Sequence, residues 1–79
     1  MSPTIFILGE YRFFFFSREE PRKHVHVVSP KGEVKFWLEP EVNLAKNYRF
    51  KANELNEIKK LIKEHYEEII KAWEEHFNG

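Results

Sequence analysis

The chain has no cysteine. That excludes disulfide staples and every thiolate metal site, so a small core must hold by packing alone. It has no surplus charge either, with 13 Lys and Arg against 13 Asp and Glu. At zero net charge there is no global pull toward nucleic acid, and any basic site must be local. No apolar run of about 18 residues occurs, so no membrane span is expected. Met1-Ser2-Pro3-Thr4 has no basic stretch ahead of an apolar one. No signal peptide is therefore expected, and the cytoplasm is the simplest location. Glycine and proline are scarce, three and four residues, and neither falls between Ala52 and Phe77. There are no internal repeats, low-complexity tracts or linkers, and 79 residues make one domain.

Aromatic residues are abundant: eight Phe, three Tyr and two Trp. Each buries a large area, which suits a small core or an interface. The first half reads as strands over 4–8, 11–17, 24–29 and 33–39, with turns at Gly9-Glu10 and Pro30-Lys31-Gly32. Residues 18–23 read as a solvated loop of mixed charge. Phe13-Phe14-Phe15-Phe16 places two rings on each face of its strand and is read as core rather than a base-stacking platform. Val34, Phe36 and Leu38 alternate with Glu33, Lys35 and Trp37, the pattern of a half-buried strand. Pro40 ends that strand. Residues 41–50 stay open between a fifth strand and a turn of helix, with Tyr48 and Phe50 as anchors.

Leu55, Ile58, Ile62, Tyr66, Ile69, Trp73 and Phe77 then recur at spacings of three and four, which predicts one helix over 52–77 with Asn53 as its cap. Such a helix is roughly 38 Å long, whereas a six-residue strand spans about 20 Å. Either it breaks near His65 or its last turns project beyond the sheet. The projecting case is favoured and makes Trp73 and Phe77 a partner interface. The expected fold is α+β: a four-stranded, mainly antiparallel sheet followed by one long C-terminal helix on one face. The expected core holds Ile5, Ile7 or its neighbours, alternate Phe of the second strand, Val25, Val27, Val34, Phe36, Leu38, Leu55, Ile58, Ile62 and Ile69.

The pieces Pro3-Thr4-Ile5-Phe6, Tyr11-Arg12-Phe13-Phe14-Phe15-Phe16-Ser17, His24-Val25-His26-Val27, Lys35-Phe36-Trp37-Leu38-Glu39-Pro40, Ala45-Lys46-Asn47-Tyr48, Glu54-Leu55 and Ala72-Trp73 with Phe77 span almost the whole chain. Together they resemble the prokaryotic domain-of-unknown-function family numbered 4160. The resemblance implies a small protein encoded beside a cognate small protein, a layout similar to toxin–antitoxin pairs. It implies no settled activity. Where that family often has Pro-Pro before the two histidines, this chain has Arg22-Lys23.

The chemistry-bearing feature is Arg22-Lys23-His24-Val25-His26-Val27. In a strand, His24 and His26 share one face while Val25 and Val27 share the other. Three readings follow. In the first, the imidazoles hold a metal with Glu33 or Glu39. The ligand count is short of a zinc site, and Arg22 and Lys23 disfavour a cation, so no metal and no cofactor is expected. In the second, His24 and His26 are the catalytic base and acid of a metal-independent ribonuclease. Arg12, Arg22, Lys23 and Arg49 then hold phosphate, and Trp37 or Tyr48 stacks a base. In the third, the histidines are a solvated, hydrogen-bonded strand surface without chemistry. His65 and His76, about 16 Å apart along a helix, cannot share an ion. The functional expectation is a cytoplasmic component of a toxin–antitoxin-like two-gene module. It acts mainly by binding a protein, and RNA is its target if it is the active partner. The rivals are a non-catalytic adaptor, a homodimer, and a His-x-His metal binder.

Overall fold

The computed structural model describes residues 4–16 and 21–78, the last by its backbone alone. The expected strand end at Ser17 and the first half of the 18–23 loop lie outside the described residues. Five strands come first: β1 (Thr4–Leu8), β2 (Tyr11–Phe14), β3 (His24–Ser29), β4 (Gly32–Trp37) and β5 (Asn43–Tyr48). Two helices follow, α1 (Ala52–Glu64) and α2 (Tyr66–Asn78). The sheet is an antiparallel meander in the order β1-β2-β3-β4-β5. The α+β class and the antiparallel sheet are as expected, while the strand and helix counts each rise by one.

The fifth strand comes from the ambiguous 41–50 segment. Its alternation is weak because it forms the sheet's edge, where only Ala45 is shielded from solvent to any degree. Ala45 also bulges, as the pairing shifts between Lys35–Lys46 and Phe36–Leu44. Val42 and Phe50, on either side of the strand, are the true anchors, and Tyr48 is 66% exposed. Arg49 turns the chain through the left-handed region at φ 79°. The Asn47 side chain braces that turn by bonding the Phe50 carbonyl and N–H at 3.0 and 3.2 Å. Gly32 opens β4 directly beneath it, and a Cβ there would collide with the Tyr48 carbonyl.

The helix breaks at His65, which caps α1 with φ −109° and ψ 21°. The break is a kink rather than a gap. The His65 N–H bonds the Leu61 carbonyl at 3.1 Å and the Ile69 N–H bonds the His65 carbonyl at 3.0 Å. Each half spans about 20 Å, the length of one strand. The favoured expectation, a single helix with projecting aromatic turns, is therefore corrected. Trp73 is 5% exposed and lies against Phe15 at 5.3 Å, with Phe77 partly buried beside it. A bent helix keeps its apolar stripe on the sheet where a straight one would carry it past the edge. Tyr66 pins the bend by donating its hydroxyl to the Leu38 carbonyl at 2.7 Å.

Phe13, Val27 and Val34 are cross-strand partners facing the helices, as are Val25 and Phe36. With Phe15, Leu38, Ile58, Ile62 and Ile69 they form the core. Ile5 and Leu55 pack only at its margin. Ile7 is 63% exposed because its partner is Arg12, on the other face. The helix side is also tied to the sheet by polar groups. Tyr11 donates its hydroxyl to Glu57 at 2.9 Å. Burial first, and the Glu57 carboxylate second, push this phenol up to about 12. Glu54 accepts the Lys51 N–H at 2.8 Å, closing the start of α1 where Asn53 was expected as the cap. It also pairs with Lys31 at 3.3 Å. The Lys51 N–H bond, then Lys31, hold Glu54 below the usual carboxylate range, and Glu54 in turn raises Lys31.

Candidate functional site on the uncovered sheet face

The helices cover one face of the sheet, and the strand registers define the other. One row reads Ile7, Arg12, Val28, Glu33, Tyr48, and the next reads Phe14, His26, Lys35, Lys46. A third holds His24, Trp37 and Asn43. The two imidazoles do share a face, with ring centroids 5.2 Å apart.

They do not open toward solvent. His24 is fully buried and His26 is 5% exposed. Aromatic neighbours wall them in. Trp73 and Trp37 stand 5.1 and 5.9 Å from the His24 ring. Phe14 stacks on His26 at 5.3 Å, and Phe16 meets it edge-on at 4.4 Å. The expectation of a solvated histidine surface is thus corrected. A strand pattern shows which face a side chain takes but not what stands beside it. His24 Nδ1 lies 2.6 Å from the Arg22 carbonyl. A carbonyl only accepts, so Nδ1 carries the proton and donates. That bond fixes the ring at the start of β3.

The four cations expected to hold phosphate do not converge. Arg12 lies over Phe14 at 4.7 Å, in the row of Val28. The Val28 row lies four residues beyond His24 and Arg22 lies two before it, so about six residues, roughly 20 Å of extended chain, separate the two arginines. Arg22 covers Trp37 at 4.1 Å and donates Nε to the Glu39 carbonyl at 3.0 Å. Lys23 pairs with Glu39 at 3.5 Å. Arg49 sits beyond β5, 6.0 Å from the Tyr48 ring. Trp37 also has Lys35 over its ring at 4.6 Å, so cations already occupy the surface expected to stack a base. Tyr48 is open. Among the described residues no three His, Cys, Asp or Glu side chains are grouped to hold a metal ion. Glu33 lies one row away from His26, and Glu39 is engaged by Lys23.

The structure brings together a different set. A groove of about 450 Å³ runs over β3, β4 and β5, lined by Phe16, His26, Glu33, Lys35, Lys46 and Tyr48. Lys35 and Lys46 are direct cross-strand partners, an arrangement that like charges disfavour. Lys46 was not singled out from the sequence. Only the pairing of β5, which the 41–50 segment left undecided, brings it opposite Lys35. Charge is also sorted between the layers. Residues 1–51 hold nine Lys and Arg against six Glu, and the helical part holds four Lys against seven Glu. A neutral chain thereby presents a cationic sheet and an acidic helix layer.

A family model described as Domain of unknown function (DUF4160) matches residues 10–74. The chain belongs to this family. The match runs from the β1–β2 turn into α2, so it takes in the groove, both histidines and Trp73. The chain matches none of the curated proteins and none of the solved structures. Among the described residues no helix is long and apolar enough to cross a membrane.

Proposed function

We propose that the protein works by binding another protein rather than by catalysis, as the cytoplasmic binding component of a toxin–antitoxin-like pair. One observation carries this reading. The imidazoles are packed among Phe14, Phe16, Trp37 and Trp73, while the groove beside them presents Tyr48, Lys35 and Lys46. A general base must reach the proton it abstracts, and a fully buried ring at His24 does not. An exposed tyrosine is the kind of aromatic anchor interfaces favour, and the lysines beside it supply a charged rim that selects an acidic partner.

The test is co-expression with the small protein encoded alongside. Copurification of the two, lost on Tyr48→Ala with Lys46→Glu, supports the reading. RNA cleavage by the purified protein, abolished by His24→Ala or His26→Ala in variants that still fold, would replace it with the ribonuclease reading.

A further inference from the structure

The free edge of β5 narrows the partner's chemistry, and this inference rests on the binding reading above. β5 ends the sheet, so one side of its backbone has no strand beside it among the described residues. Five of its six residues are exposed. By contrast, β1 at the opposite edge has Ile5, Phe6 and Leu8 packed against the core. The two faces of β5 differ. Lys46 and Tyr48 stand on the groove side, opposite Lys35 and Glu33. Leu44, 48% exposed, stands on the helix side, opposite Phe36.

We infer that β5 accepts an extended acidic segment of a partner protein as a sixth strand, with carboxylates and apolar side chains alternating along it. Strand addition satisfies the free backbone groups of the edge. Alternation then sends the segment's carboxylates toward Lys46 on the groove side. Its apolar side chains go to the other face, over Leu44. A second copy fits less well. Pairing β5 with β5 about a two-fold axis brings two copies of the Lys35–Lys46 pair together, which like charge opposes. RNA has the charge to meet the lysines but no peptide groups to pair with a strand.

The experiment uses the full chain and fluorescein-labelled eight-residue peptides, one alternating Glu and Val and one alternating Lys and Val, with oligouridine as a third probe. Anisotropy should show binding of the Glu-Val peptide only. Lys46→Glu should weaken it by about tenfold or more, Lys46→Gln by less, and Lys60→Glu on exposed α1 not at all. Circular dichroism identifies any variant that fails to fold. Hydrogen exchange should show the outward β5 amides protected by the peptide. Binding without that protection, binding indifferent to both Lys46 variants, or binding of oligouridine alone overturns the inference. If the cognate protein copurifies and the Glu-Val peptide does not bind, the binding reading stands and the acidic-strand inference falls.

Discussion

The two faces of this sheet are built from alternate residues of the same strands, yet they do different work. The helix-covered face holds Phe13, Val25, Val27, Val34 and Phe36, none more than 2% exposed. The other holds Arg12, His26, Lys35, Lys46 and Tyr48, and its aromatic rings stack on cations and imidazoles rather than on aliphatic side chains. The first face stabilises the chain by burial, and the second leaves Lys46 and Tyr48 in solvent. Tyr48, 66% exposed, removes little area from water. Their contribution to folding is therefore small, and the binding proposed above is what would give them a use.

The comparison breaks most readily at Trp73, which serves both faces by covering Phe15 and His24. Trp73→Ala should lower stability by about 3–5 kcal/mol, measured by urea unfolding. A loss under about 1 kcal/mol would show that the end of α2 does not hold the sheet. Gly32→Ala should cost about 1–3 kcal/mol, because the Tyr48 carbonyl must move. It should also weaken partner binding, since β5 moves with it. Tyr11→Phe should cost about 0.5–1.5 kcal/mol through the lost Glu57 bond. It also carries a pH signature. The folded state raises this phenol from 10.0 to about 12, so its contribution is complete below pH 10 and disappears as pH rises through 12. Thermal unfolding across that window should fall less steeply in the variant. Glu54 gives the acid-side counterpart. Its folded pKa is lowered, so its contribution is present above the ordinary value and is lost as pH falls through the folded one. Glu54→Gln should flatten the acid limb of the stability curve. The smallest effect belongs to the open face. Lys46→Ala and Tyr48→Ala should change stability by no more than about 0.5 kcal/mol while weakening partner binding. A large stability loss there would mean that the groove is structural.

Much of the fold is legible in the residues. Four strands, their alternation and the apolar stripe of the helices follow from periods of two and about 3.6. The helix break was also visible as a mismatch in length, although nothing at His65 marks it with Gly or Pro. The site was less legible. Both histidines were found on one face, but burial depends on Phe14, Phe16 and Trp37 across strands and on Trp73 some fifty residues away. The phosphate-binding quartet failed for the same reason, since four arginines and lysines in one chain carry no information about convergence. The groove's Lys46 was missed because an edge strand buries only one margin, leaving a pattern too weak to separate from loop.

By itself the sequence determined which side chains share a face, because backbone geometry is local and alternates whatever the partner. It also excluded disulfides and thiolate metal sites. Tertiary structure alone decided which face is covered, where the long helix bends, and that the histidines are enclosed while Lys35 and Lys46 stand side by side. Those outcomes depend on strand order, on register, and on the area two short helices can shield, and none of these is encoded in any single segment.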